Sequence, residues 1–157
     1  MKSMQQWLDA YAVSHQNPTN KLIHWLCVPA IVFSLFGLLL AIPIPIPTGI
    51  AHLNVATIVI AIALVFYLRL SLPMALGMLF VSALMYAGNI LLFKTVGYNR
   101  LTLVIISVAI FVIAWIGQFI GHKIEGEKPS FFEDLQFLMI GPAWLLSFIY
   151  KKIGISY

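Results

Sequence analysis

The sequence predicts an all-α integral membrane protein of about four transmembrane helices, with an N-terminal amphipathic helix and a C-terminal interfacial or re-entrant helix. Of its 157 residues, 62% are hydrophobic and 9% are charged, whereas soluble domains are roughly half apolar and a quarter charged. Nine Lys/Arg and five Asp/Glu cannot coat a water-exposed surface of this size, so lipid is the expected solvent. Apolar runs also recur at lengths near the ~20 residues that cross a ~30 Å hydrocarbon core.

The elements follow in order. Met4, Trp7, Leu8 and Tyr11 fall at helical spacing among Gln5, Gln6 and Asp9, predicting a short amphipathic helix over 4–14 at the interface. It contains no uninterrupted apolar core of the kind a signal peptide has, so the first span is expected to direct insertion. HQNPTN breaks the pattern, because Pro18 lacks a backbone donor and biases Asn17 toward an extended conformation. Thr19 or Asn20 is expected to cap the next helix. A first span runs from Ile23 to Ile42 with a kink at Pro29, and IPIPIPTG follows as an extended linker. A second span covers Leu53 to Leu68 and a third Leu70 to Phe93, with Arg69 at the turn between them. Lys94 to Arg100 is polar, and Leu101 to Ile120 is the fourth span. HKIEGEKPSFFED is then aqueous or site-lining. The last apolar segment, Leu135 to Ile149, is broken by Gly141 and Pro142 and is short for a span. The whole chain, 1–157, reads as one membrane-embedded domain.

Basic residues set the orientation. With the N-terminus inside, Lys2, Lys21, Arg69, Lys123, Lys128, Lys151 and Lys152 fall inside, and only Lys94 and Arg100 fall outside. The net charge of +4 is scattered between apolar runs, which argues against a nucleic-acid partner. Cys27 has no second cysteine to pair with and reads as a small buried hydrophobe. Trp7, Trp25, Trp115 and Trp144 fall near predicted span ends and read as interfacial anchors.

This topology brings the stretch around His15 and His24 to the same face as the stretch from His122 to Asp134. Imidazole suits iron, zinc and copper, and three such ligands leave positions open for substrate or dioxygen. His15 and His24 are nine residues apart, on opposite sides of any continuous helix, so they converge only through the break at Pro18. Glu125 shares a face with His122 if the fourth helix continues past Gly121, and Gln118 lies one turn earlier on that stripe. Asn17 and Asn20 can orient an imidazole or a substrate hydroxyl. Plainer readings stand beside these: a solvated His52 at the opposite face, a hydrated acidic loop for Glu125, Glu127, Glu133 and Asp134, and turn or cap duties for Asn17 and Asn20. No compact HExxH motif is present.

Two stretches resemble the signatures of the 2-hydroxy-fatty-acid dioxygenase family. The first is carried by Tyr11, His15, Asn17, Pro18, Asn20, His24, Val28 and Pro29, the second by Trp115, Gln118, Phe119, Gly121 and His122. The number and spacing of apolar spans between them also agree. The resemblance implies an iron(II) enzyme, of bacterial type, that uses dioxygen to shorten a 2-hydroxy fatty acid by one carbon. It implies His15, His24 and His122 as metal ligands, with Asn17, Asn20, Gln118 and Glu125 as the candidate catalytic positions. After the last histidine the yeast-type pattern continues Phe-Glu and then Arg-Pro, while this chain reads HKIEGEKPSFF. The family acid therefore corresponds to Glu125 or Glu127, with helical geometry favouring Glu125, and Lys128 stands in place of the arginine.

Expected partners are the 2-hydroxy fatty acid and membrane lipid. A homo-oligomer is compatible with the sequence. The chain has no evident retention signal, so the expected location is a bacterial inner membrane with the site at the cytoplasmic face. Two rival classes would leave different marks. A di-iron lipid hydroxylase would carry HxxHH clusters, and none is present. A small transporter or assembly factor would carry polar groups in mid-span, where only Asn89 and the prolines stand.

Overall fold

The computed structural model describes residues 2–44, 53–128 and 136–157. Six α-helices form, α1 (Met4–Ala12), α2 (Pro18–Ala41), α3 (Val55–Leu70), α4 (Leu72–Thr95), α5 (Arg100–Glu125) and α6 (Phe137–Ile153), with no strand among the described residues. His52, Glu133, Asp134 and most of the Ile-Pro linker lie outside them.

Local chemistry starts these helices. Ser3 and Gln6 close a reciprocal capping box on α1. Asn17, not Thr19 or Asn20, caps α2, accepting from the Thr19 and Asn20 amides. Pro18 then occupies the first helical turn, where its missing N–H costs nothing and its fixed φ suits the helix. Asn54, Ser71 and Asn99 cap α3, α4 and α5.

Three helices, α2, α4 and α5, have the length and apolar composition to cross a membrane, as a membrane protein requires. The fourth expected span, α3, has 16 residues and rises only about 24 Å, short of a ~30 Å core. Lipid is the solvent these surfaces call for. Leu76, Phe80 and Leu84 of α4 and Val112, Ile113 and Ile116 of α5 all face outward, which would be untenable in water.

The most extensive contact joins α2 to α5. A Cβ added at Gly121 would strike Asn20, one at Gly117 would meet Cys27 Sγ, and one at Gly37 would strike Ser107. Partner numbers falling on one helix as they rise on the other make the pair antiparallel, and small residues let the backbones close up without any hydrophobic drive in lipid. Asn89 donates to the Phe33 carbonyl at 3.0 Å, tying α4 to α2. Asn54 donates to Tyr86 Oη at 2.6 Å, tying α3 back along α4.

α6 differs from expectation. It runs unbroken through Gly141 and Pro142 and buries Phe137, Ile140, Ala143, Trp144, Leu145, Leu146 and Tyr150. Tyr150 donates to the Pro73 carbonyl at 2.7 Å and Tyr67 to the Met139 carbonyl at 2.6 Å, so α6 packs against the α3–α4 turn. α1 lies on α6 through Met4, Trp7, Leu8 and Tyr11. Trp7 and Trp144 are accordingly core residues and not interfacial anchors, because the amphipathic face of α1 finds protein to cover it.

Candidate metal centre

The corner between α1 and α2 reverses the chain within 13–17 and brings His15 over His24. His15 Nε2 and His24 Nε2 are 2.9 Å apart. Each ring is held from behind: His15 Nδ1 lies 2.6 Å from the Tyr11 carbonyl and His24 Nδ1 2.9 Å from the Asn20 carbonyl. A carbonyl only accepts, so each Nδ1 carries the proton and each Nε2 presents a lone pair. His122 closes the group from α5, its ring centroid 4.9 Å from His15 and 5.0 Å from His24. All three histidines are buried, and one ligand atom from each lies within 4.8 Å of the others.

This donor set fits a metal ion. Two lone pairs facing each other at 2.9 Å repel, and neither ring has a hydrogen to share at that position. A proton is a poor remedy, because burial, and next the neighbouring His24, push His15 down to about 3. A cation relieves the repulsion: nitrogens ~2.1 Å from one ion and at right angles across it lie about 3 Å apart. His122 Nδ1 is buried with no hydrogen-bond partner, as expected of a group built to receive something. The three buried histidines can therefore form a metal site with positions left open.

The remaining nominated residues hold this corner. α5 continues past Gly121 to Glu125, as the shared face with His122 requires. Glu125 Oε1 accepts from the Gln16 amide at 2.6 Å, and Oε2 accepts from the Asn17 amide at 2.9 Å and from Asn20 Nδ2 at 3.0 Å. Its carboxylate thus ties the loop carrying His15 to the helix carrying His122. Glu127 is exposed. Asn20 is fully buried and also donates to the Ser14 carbonyl at 3.3 Å. The Asn17 side chain is spent on capping. Gln118 lies beside His24, and its buried amide nitrogen has no hydrogen-bond partner.

Two aromatic residues belong here that sequence reasoning left out of the site. Tyr11 stacks on His15 at 4.1 Å with 14° between the rings. Trp144 of α6 packs on the same imidazole at 5.2 Å. For Tyr11 a signal existed, since a residue four before His15 on a helix presents its carbonyl to the next turn. Trp144 had none, because α6 reaches the site through tertiary packing. A cleft of about 460 Å³ opens onto the cluster, with Gln118 and His122 at its polar end and Val28, Val32, Phe137 and Pro142 along its walls. A second, more polar cleft of about 550 Å³ reaches His15 from the other side, past Lys21 and Lys151.

A model of the 2-hydroxy-palmitic acid dioxygenase Mpo1-like family matches residues 1–153. The 2-hydroxy-palmitic acid dioxygenase MPO1 of Saccharomyces cerevisiae is 28% identical over 156 residues, covering 96% of this chain and 82% of the yeast protein. No solved structure matches the chain.

Proposed function

The chain belongs to the 2-hydroxy-palmitic acid dioxygenase Mpo1-like family, and from that membership we propose that it is an iron(II)-dependent dioxygenase shortening 2-hydroxy fatty acids by one carbon. The observation that carries the reading is the pair of lone pairs on His15 and His24, opposed at 2.9 Å, with His122 beside them. Iron(II) held by His15, His24 and His122 would supply open coordination positions and the capacity to activate dioxygen beside a hydroxy acid. The rest falls to the protein. The Tyr11 and Asn20 carbonyls set the tautomer and direction of two ligands, which raises their basicity toward a metal. Glu125 and Asn20 are positioning residues that hold the ligand-bearing corner closed. Gln118 offers an unpaired N–H to the polar head of the substrate at the mouth of the apolar cleft. The apolar walls keep water from the reacting group.

The unit doing this is one membrane-embedded domain of residues 1–157, sited in a bacterial inner membrane with its histidines at the cytoplasmic face, as the basic-residue asymmetry favours. The test uses purified chain in lipid nanodiscs with 2-hydroxypalmitate and dioxygen. Turnover to the acid one carbon shorter should vanish on chelation and return with iron(II). His15→Ala, His24→Ala and His122→Ala should each lower bound iron, and unchanged metal content in all three would sink the site. A metal-free wild-type protein without turnover would favour a transporter or assembly role.

A further inference from the structure

A third, almost wholly apolar cleft of about 500 Å³ lies between α2, α4 and α6, and the reading above does not use it. It shares Val28, Val32 and Pro142 with the cleft that reaches His122 and Gln118. We propose that the two form one path for the acyl tail of the acid bound at the histidines, with Met78, Val81 and Met85 of α4 limiting the length of chain accepted. This rests on the proposed function for its head group, while the path itself is a property of the helices.

The order of the lining supports that occupant. The path is amphiphilic in the order a fatty acid needs: His122 and the unpaired Gln118 amide stand at one end, and only apolar side chains of α2, α4 and α6 line the other. Pro29 of α2 and Pro142 of α6 both line the apolar cleft, each inside a continuous helix.

The experiment uses full-length protein in nanodiscs and a 2-hydroxypalmitate carrying a photoreactive diazirine at its last carbon. Labelling should map to the groove-lining Met78, Val81 and Met85 of α4 and should be competed by unlabelled 2-hydroxypalmitate. Labelling spread over lipid-facing residues such as Leu84 and insensitive to the competitor would mean that bilayer lipid fills the groove, and would overturn the proposal. Val81→Phe should lower kcat/KM for 2-hydroxypalmitate about tenfold to 20-fold relative to a ten-carbon 2-hydroxy acid, the cost of displacing roughly two methylenes. Leu84→Phe, one turn away and facing outward, should leave that ratio unchanged. Equal loss at every chain length in Val81→Phe would refute the role of α4. If the wild-type protein turns over no 2-hydroxy acid yet competed labelling still maps to α4, the assigned reaction fails and the acyl path stands.

Discussion

Replacing Glu125 by glutamine should weaken metal binding without removing a ligand. The carboxylate accepts from the Gln16 amide at 2.6 Å, the Asn17 amide at 2.9 Å and Asn20 Nδ2 at 3.0 Å. Glutamine keeps one oxygen and turns an NH2 group toward the remaining donors. With its oxygen at the Oε1 position, Asn20 Nδ2 loses its acceptor; at the Oε2 position, the Gln16 amide loses its own. A hydrogen bond to a charged group is worth about 1.5–3 kcal/mol, and the partial exposure of Glu125 places this case at the lower end, about 1.5–2.5 kcal/mol. That free energy holds His15 against His24 and His122, so it should appear in metal affinity as roughly 10- to 60-fold weaker binding. Chelator competition with cobalt(II) or iron(II), wild type beside Glu125→Gln in the same nanodiscs, reads it directly. Circular dichroism should show the helices intact. Affinity within about threefold of wild type, well under the ~1.4 kcal/mol that a tenfold change represents, would refute the view of Glu125 as the clamp on the α1–α2 corner.

Other outcomes follow from the same geometry. Gly121→Val should lower both thermal stability, by about 1–3 kcal/mol, and metal content, because its Cβ would strike Asn20, which Ser14 and Glu125 hold in place. The metal-free protein should lose stability in acid. Burial, and next the neighbouring His24, push His15 from an ordinary 6.5 down to about 3 in the fold, so between those values the unfolded chain binds the extra proton and stability falls as pH drops below 6.5, by about 1.4 kcal/mol per pH unit for this one group. Melting curves from pH 7.5 to 5 should show the slope, and His15→Gln should reduce it; a flat wild-type profile would contradict the assignment. Asn89→Leu removes bonds to the Phe33 and Met85 carbonyls and should cost about 1 kcal/mol, as inter-helix hydrogen bonds in membranes do. Metal content should be unchanged, and its loss would show that Asn89 supports the site and not just the α2–α4 contact.

Much of this molecule was legible from the sequence because the determinants are local. Helix formation in lipid must satisfy every backbone group within its own segment, so apolar runs, prolines and caps mark the helices to within a few residues. The nomination of His15, His24 and His122 came from motif positions and from the charge asymmetry that placed them at one face. The shared face of His122 and Glu125 followed from helical periodicity.

Other features depended on what packs against what. Trp7 and Trp144 read as interfacial anchors because belonging to a core requires knowing that α1 lies on α6. A carboxylate three residues after a histidine can be a ligand, an acid or a clamp, and its spacing is the same in each case. Composition, periodicity and capping, all short-range, were enough for the sequence alone to determine a helical membrane protein, and the motif positions of the family resemblance to nominate three candidate ligands. Only the tertiary structure decided that two imidazole lone pairs meet at 2.9 Å and that Glu125 is spent on the amides that bring them there, because the first depends on how the corner after α1 folds back and the second on contacts spanning about a hundred residues.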